Sequence, residues 1–332
     1  MAKVIDLLRL ASKENASDLH LVVGSPPMLR IDGSLGSIDG MSPLSSEEIS
    51  ESFIQLTTPE QREEFQRTLE LDFGYTLPGT GRLRCNAAQQ RGVISFAIRL
   101  LPPEIPTIDE LELPQVCKEL ALRPRGLVII SGPTGSGKTT TLAAMINHIN
   151  ANRTCHVVTI EDPIEYTHPN LRSAVTQREL GADTLSFAAA LKHILRQDPD
   201  VILVGEMRDL DTAAAVLTVA ETGHLVLSTG HAPSASQAME RVIDLFPPDQ
   251  RYLAQTRLAS LIIGVLCQTL VPRADGSGRI AAVEIMLGSP AVRNVVREGK
   301  IHHLPNVIRT SSQEGMQTLD QALATYYLRE VI

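Results

Sequence analysis

The spacing of apolar residues changes near residue 100, and the two parts of the chain predict different kinds of domain. In the first part, helical patterns cover residues 4–11 and 46–69, and the second pattern is interrupted near Pro59. Short apolar runs with the period of a strand occupy residues 19–23, 28–31 and 93–98. Helices and Gly- or Pro-bounded strands in one short region predict a small α+β domain over residues 1–100.

A proline-rich stretch separates the two parts. Residues 101–106 read LPPEIP, which predicts an extended linker over residues 101–107. Beyond the linker, apolar runs alternate with helical patterns. The runs lie at residues 127–130, 156–160, 201–204 and 225–227, and the helical patterns lie at residues 139–150, 186–197 and 211–222. This alternation predicts an α/β domain whose mostly parallel sheet is covered by helices on both faces.

Two stretches of the second part carry more specific expectations. The helix at residues 211–222 begins at Asp211, which is suited to capping, and stops at Gly223. Residues 258–271 are largely apolar, but they are fewer than the roughly 18–20 residues that a membrane span needs. We expect a buried helix there.

Charge and composition narrow the class of function. The chain has 30 Lys and Arg residues against 38 Asp and Glu residues, and its net charge is -8. This balance argues against nucleic acid as the main partner, and an aromatic content of 3% argues against a surface for stacking bases. Charged residues near the N-terminus, Lys3, Asp6 and Arg9, do not fit a signal peptide. We therefore expect a soluble, cytosolic protein.

The cysteines predict neither a zinc site nor a disulfide framework. They stand far apart, without a Cys-x-x-Cys pair, at positions 85, 117, 155 and 267.

The most specific chemical signal is a complete phosphate-binding loop. It lies between the predicted strand at residues 127–130 and the helix at residues 139–150. Glycines let backbone N–H groups surround phosphate oxygens, a lysine charge reaches the β- and γ-phosphates, and a following hydroxyl suits Mg²⁺. The residues assigned to nucleotide binding are Gly132, Pro133, Thr134, Gly135, Ser136, Gly137, Lys138, Thr139 and Thr140, with Thr139 as a magnesium ligand.

Two acidic segments follow predicted strands and supply candidates for water activation. The run DVILVGE ends at Glu206, which would be the general base or would orient the attacking water. Gly205 stands where such strands often carry Asp. After another strand, Glu161, Asp162 and Glu165 form an acidic box, of which Glu161 is a tentative Mg²⁺ ligand. Taken alone, the acids after either strand would also fit a solvated turn.

Two histidines flank the strand at residues 225–227. His224 precedes it and His231 follows it, so the two cannot share one metal ion. His231 suits a sensor of the γ-phosphate, although each imidazole would also fit an ordinary structural position.

These four blocks, in this order, resemble the secretion ATPase superfamily, and within it the PilT-like retraction ATPases of type IV pili. The acidic box reads TIEDPIEY, the Walker B segment ILVGEMRD and the His box TGHLVLSTGHA. The resemblance implies a PAS-like N-terminal domain, a RecA-like ATPase domain over residues 108–288 and a C-terminal helical segment over residues 289–332. It also implies ATP and Mg²⁺ as cofactors, a homo-hexameric ring, an inner-membrane platform protein as partner, and a place at the cytoplasmic base of the pilus.

The resemblance also assigns roles to arginines. Arg82, Arg84 and Arg99 match the family's arginine positions and would neutralise charge on the γ-phosphate, although surface solubility would explain them equally well. The His box departs from the family pattern, because Gly230 and Ala232 flank His231. These small residues remove a hydroxyl and are expected to loosen the backbone.

A short helix is predicted between Ser289, a good N-cap, and Gly299. Arg293 and Arg297 are four residues apart and should project from one face. In the resembling motors the matching segment is tied to retraction, so both arginines are force-coupling candidates. An ordinary surface helix would show the same pattern.

Four other functions stay open. A retraction paralogue would share every motif above. A pilus-assembly or type II secretion motor usually carries an extra N-terminal domain and a tetra-cysteine insertion. A RecA-like nucleic-acid translocase conflicts with the acidic charge, and a non-hydrolysing scaffold conflicts with Glu161 and Glu206.

Overall fold

A computed structural model describes residues 4–31, 33–101 and 104–332. The chain divides into two compact units. The first contains the chain up to Glu104 together with Pro163–Thr167, and the second contains Ile105–Asp162 and His168–Ile332. Lys3, and Pro102 and Pro103 of the predicted linker, lie outside the described residues. Residues 289–332 group with the second unit rather than forming a unit of their own.

In its described residues, the first unit is a six-stranded antiparallel sheet with three helices. Its strands are β1 Asp18–Leu21, β2 Met28–Ile31, β3 Ser34–Ser37, β4 Glu70–Leu77, β5 Gly81–Gln90 and β6 Val93–Leu100, in the order β3-β2-β1-β6-β5-β4. Its helices are α1 Val4–Lys13, α2 Ser46–Leu56 and α3 Pro59–Thr68. Capping boxes at Ser45 and Thr58 begin α2 and α3, so the interruption predicted near Pro59 is confirmed.

One face of this sheet is packed and the other carries polar side chains. The Phe53 ring lies 4.8 Å from that of Phe65 and 5.8 Å from that of Phe96, between centroids. On β5, Leu83 is buried and Arg84 is exposed, as the two-residue period of a strand requires.

The second unit is a seven-stranded sheet between two layers of helices. Its strands are β7 Gly126–Ser131, β8 His156–Glu161, β9 Ala174–Glu179, β10 Val201–Val204, β11 Leu225–Thr229, β12 Ile262–Pro272 and β13 Arg279–Leu287. The helices are α4 Val116–Ala121, α5 Lys138–Asn152, α6 Phe187–Ile194, α7 Leu210–Glu221, α8 Ala235–Asp244, α9 Arg251–Leu261, α10 Pro290–Arg297, α11 Leu304–Thr310 and α12 Leu319–Leu328.

The strand order is β13-β12-β7-β11-β10-β8-β9. All neighbours are parallel except the pair β12 and β13. Separate hydrophobic clusters cover the two faces, so the predicted mostly parallel, doubly covered sheet is confirmed. Among the described residues, no helix is both long enough and apolar enough to cross a bilayer.

The C-terminal segment pairs with the outer side of β13. Gln317 exchanges two backbone hydrogen bonds with Ile285, of 2.8 and 3.1 Å. Its side-chain amide donates to the Val283 carbonyl at 2.8 Å, and the Tyr326 hydroxyl donates to the Ala281 carbonyl at 3.0 Å. Three successive outward carbonyls of β13 are therefore satisfied by this segment.

Two predictions about elements were wrong. Residues 258–271 do not form one helix, because α9 ends at Leu261 and β12 begins at Ile262. Gly264 on β12 allows a close approach, since a Cβ there would lie 2.6 Å from the Leu120 side chain. The cap of α7 is Asp209 rather than Asp211, because the Asp209 carboxylate accepts from the Thr212 N–H at 2.8 Å.

Candidate nucleotide site

The predicted site residues of the second unit follow the carboxyl ends of four adjacent parallel strands. Thr229 pairs with Ile130, and Val204 pairs with both Ile160 and Ser228, so the strands end at nearly the same level. The segments after them are the phosphate-binding loop after β7, the acidic box after β8, the Glu206 segment after β10 and the His box after β11. Ligands of open α/β sheets bind at this edge.

The loop between β7 and α5 depends on glycine at both ends. Gly132 has φ +141°, and a Cβ there would lie 2.2 Å from the Gln268 carbonyl oxygen. Gly137 has φ +85° and is the N-cap of α5. Lys138, Thr139 and Thr140 form the first turn of α5, so the loop leads directly into the positive end of a helix.

Lys138 lies inside this loop. Its Nζ donates to the carbonyls of Gly132 and Pro133, each at 2.9 Å. Partial burial lowers the pKa of Lys138, and the negative charge of Glu206 partly opposes this shift. Lys138 and Glu206 therefore act on each other electrostatically across the site.

Glu206 is held at both carboxylate oxygens. His231 Nε2 lies 3.1 Å from Oε1, and the Arg208 Nε–H donates to Oε2 at 2.6 Å. The Glu206 side chain is only 14% exposed. The structure thus brings Glu206 and His231 together, and the γ-phosphate-sensor role of His231 stays a prediction. Each carboxylate oxygen keeps a second lone pair, so Glu206 can still accept a hydrogen bond from a water molecule while both partners stay in place.

Arg208 was missed by the sequence analysis. It also lies 3.7 Å from Asp162, so it bridges the Walker B segment and the acidic box. The hydrogen bond to Glu206 raises the pKa of Arg208. The sequence offered one indication of this contact: Arg208 stands only two residues after Glu206, close enough for its side chain to reach that carboxylate.

Glu161 is oriented by two neutral side chains. Its Oε1 accepts from Thr159 Oγ1 at 2.6 Å and from Gln177 Nε2 at 3.0 Å. Gln177 lies on β9 directly opposite Thr159 on β8, so the sheet register sets this contact. Gln177 is a second residue that the sequence analysis missed.

The glycine before Glu206 has a steric reason. A Cβ at Gly205 would lie 3.3 Å from the Ile160 carbonyl oxygen, so a larger residue needs a small shift of that backbone, whereas the Glu161 Cα at 3.5 Å is at ordinary contact distance. Within the described part of the chain, no three His, Cys, Asp or Glu side chains form a metal cluster. The hydroxyl of Thr139 and the carboxylate of Glu161 are oxygen ligands of the kind that Mg²⁺ prefers, and their assignment to the ion stays a prediction.

The small residues of the His box do not free its backbone. The Gly230 N–H donates to the Ile130 carbonyl at 2.9 Å, and Ser131 Oγ donates to the Ala232 carbonyl at 2.7 Å. His231 is therefore held between two anchored neighbours, contrary to the expected loosening. His224 lies at the other end of β11, with Nδ1 2.9 Å from Thr222 Oγ1, and belongs to the end of α7.

The three candidate arginines lie in the first unit. Arg84 and Arg99 are direct cross-strand partners on β5 and β6, and both are exposed. The Arg99 Nε–H donates to Asp18 at 2.9 Å. Burial alone would raise the pKa of Asp18, but the hydrogen bonds from Ser17 and Arg99 lower it below its usual value. Arg82 Nη1 lies 3.1 Å from Thr76 Oγ1.

The predicted C-terminal helix is confirmed as α10, with Ser289 as its N-cap and Pro290 in its first turn. Its two arginines differ. Arg293 donates to the Gly288 carbonyl at 2.8 Å and also to the Ser260 carbonyl, so it ties α10 to α9. Arg297 is exposed. The force-coupling role of the two arginines stays a prediction, and Arg293 is already engaged with two backbone carbonyls.

Comparison with known proteins agrees with this arrangement. Residues 97–327 match the family described as type II/IV secretion system protein. The chain is 44% identical over 320 residues to the type IV pilus retraction ATPase PilT of Pseudomonas aeruginosa, covering 96% of this chain and 92% of that protein. It is 43% identical over 321 residues to the type IV pilus ATPase PilU of the same species, covering 97% and 84%.

A solved structure of the pilus retraction motor PilT with bound ADP superimposes with a TM-score of 0.93 at 39% identity, covering 100% of this chain and 95% of that one. The family match alone spans more than half of the chain. The chain belongs to the type II/IV secretion system protein family.

Proposed function

We propose that this chain is an ATP-hydrolysing motor that drives type IV pilus retraction. One observation carries the proposal: a complete phosphate-binding loop, Glu206 and His231 all lie at one edge of the sheet. At that edge His231 Nε2 is 3.1 Å from Glu206 Oε1. The chain is 44% identical to a pilus retraction ATPase over 96% of its length, and this similarity supports pilus retraction as the process that the motor drives.

The residues of the site divide the work of hydrolysis. The backbone of the loop and Lys138 bind the β- and γ-phosphates. Glu206 accepts a proton from the attacking water or orients it, and His231 senses the γ-phosphate through its contact with Glu206. Mg²⁺ would neutralise phosphate charge, held on the protein side by Thr139 and Glu161.

The assembly and the partner are carried over from the resemblance. We propose a homo-hexamer in which Arg82, Arg84 and Arg99 act on the nucleotide of a neighbouring chain. The ring would work at the cytoplasmic base of the pilus, against an inner-membrane platform protein. The exposure of Arg84 and Arg99 agrees with a role outside their own chain.

A retraction paralogue is the second candidate, because identity to PilU is 43% against 44% to PilT. Deletion of the gene in the bacterium that carries it separates the alternatives. A retraction motor predicts cells that keep surface pili but do not twitch, restored by wild type and not by Glu206→Gln. Pili with residual twitching would indicate the paralogue, and loss of pili would contradict retraction in favour of assembly.

A further inference from the structure

Strand β12 continues past the point where its neighbour ends. The last paired residues of β7 and β12 are Ser131 and Cys267. The chain then leaves β7 at Gly132 to form the phosphate-binding loop, while β12 runs on to Pro272. On the side of β7, Gln268 is therefore the first residue of β12 that neighbours the loop instead of a paired strand, while its other side pairs with Val283 of β13.

Gln268 touches the loop at both of its ends. Its side-chain Nε2 donates to the Ser136 carbonyl at 2.6 Å, and its backbone carbonyl leaves no room for a Cβ at Gly132. A Cβ at Gly137 would lie 3.2 Å from the same Nε2. Gln268 and Ser136 are each only 3% exposed, so this contact is closed to water.

The hydrogen bond fixes the direction of one peptide group. In a planar trans peptide the C=O and the following N–H point in opposite directions. Anchoring the Ser136 carbonyl to β12 therefore turns the Gly137 N–H away from β12. Gly137 has φ +85°, and glycine adopts positive and negative φ with similar ease. Its own conformational preference therefore does not fix the direction of this peptide group.

We propose that Gln268 is a positioning residue for nucleotide binding, which keeps the Ser136–Gly137 peptide turned toward the phosphates. The inference rests on the nucleotide site described above. It assigns to β12 a function in ligand affinity, in addition to its place in the sheet.

The amide is oriented by this contact rather than by general packing. Within the described residues, Gln268 Oε1 is buried without a hydrogen-bond partner, and so is Ser136 Oγ. A satisfied structural glutamine would use its carbonyl oxygen as well. Replacing the amide by an apolar group of similar length therefore removes one unsatisfied acceptor, and the Ser136 carbonyl is the group that newly loses its donor.

The test compares Gln268→Met with Gln317→Met in the full chain. Gln317 is a matched control, because its Nε2 also donates to a backbone carbonyl of the same sheet, that of Val283 at 2.8 Å. Affinity is measured with fluorescent N-methylanthraniloyl-ADP and Mg²⁺, and unfolding temperature is measured without nucleotide. We expect Gln268→Met to weaken binding about tenfold, with turnover at saturating ATP changed less than about threefold.

The control should lower the unfolding temperature without changing the affinity. Gln268→Glu, which keeps the shape but sets an oxygen against the Ser136 carbonyl, should weaken binding at least as much and serves if the methionine variant does not fold. Unchanged affinity in either Gln268 variant would overturn the inference, as would an equal loss in Gln317→Met. Lys138→Ala separates this failure from failure of the nucleotide site itself: wild type must bind the probe more tightly than Lys138→Ala.

Discussion

Glu206 sits between a cation and an imidazole, and this setting decides what its removal should change. Arg208 and His231 occupy one carboxylate oxygen each. Neither contact touches the loop that holds the phosphates. In its proposed role, Glu206 would act on the transition state of hydrolysis more than on the affinity for nucleotide.

We expect Glu206→Gln to lower turnover by about 100-fold or more while the dissociation constant for nucleotide changes less than about threefold. The amide keeps the shape and one acceptor but cannot take a proton. Steady-state phosphate release and binding of N-methylanthraniloyl-ADP measure the two quantities on the same preparation.

Glu221→Gln is a suitable control, because that carboxylate pairs with Arg257 at 2.7 Å away from the loop and should leave both quantities unchanged. Turnover of Glu206→Gln near the wild-type rate would show that the base is assigned wrongly. Glu161 would then be the next residue to test.

At the scale of elements, sequence patterns predict the helices and strands that are determined by residues adjacent in the chain. The strands before the loop and before Glu206 are continuous apolar runs with a glycine or an acid at the end, and both are confirmed. The break at Leu261 was missed because the end of α9 and the start of β12 are both apolar, and periodicity alone does not separate a buried helix from a buried strand.

Contacts between distant segments could not be predicted. Gln268 and Ser136 are 132 positions apart, and nothing in the sequence around either one identifies the other. Gln177 became visible only through the register of β8 and β9. Asp209 rather than Asp211 caps α7 because the backbone turns into the helix at Leu210. The sequence, which has an aspartate at both positions, does not show where that turn lies.

The two arginines of α10 have different surroundings, so the force-coupling prediction can be tested separately at each one. We expect Arg293→Ala to lower the free energy of unfolding by about 1–3 kcal/mol, because two carbonyls lose a charged donor. Arg297→Ala should change it by less than about 0.5 kcal/mol, as for most exposed positions. Chemical denaturation of the purified variants measures both values.

If α10 couples hydrolysis to force, Arg297→Ala should keep most of the ATPase activity and still abolish twitching in cells. Arg297→Lys, which keeps the charge, is the matched control for that exposed position. Normal twitching of Arg297→Ala would make α10 a structural element, whereas a parallel loss of ATPase activity would assign Arg297 to the catalytic machinery.

At the scale of the whole molecule, the candidate arginines and the phosphate-binding loop belong to different units of the chain. If Arg99 acts on the nucleotide of a neighbour, chains with Arg99→Ala and chains with Lys138→Ala should complement each other. Random mixing of the two in equal amounts restores about a quarter of the interfaces. Co-expression with two different tags, followed by tandem purification, gives the mixed assemblies for an ATPase assay.

The control mixes Glu206→Gln chains with Lys138→Ala chains. Both defects then lie in the same unit, so no mixed interface contains an intact pair and activity should stay at the level of the separate variants. Arg99 would act within its own chain, or not at all, if its mixture also showed no gain.

The C-terminal segment that covers β13 has a consequence for how copies of the chain meet. A bare outermost strand offers a row of N–H and C=O groups to any other strand and promotes uncontrolled association. Here the carbonyls of Ala281, Val283 and Ile285 are already bound by Gln317 and Tyr326. Edge-to-edge pairing with another sheet is thereby blocked at this side, so copies of the chain that meet here must do so through side-chain surfaces.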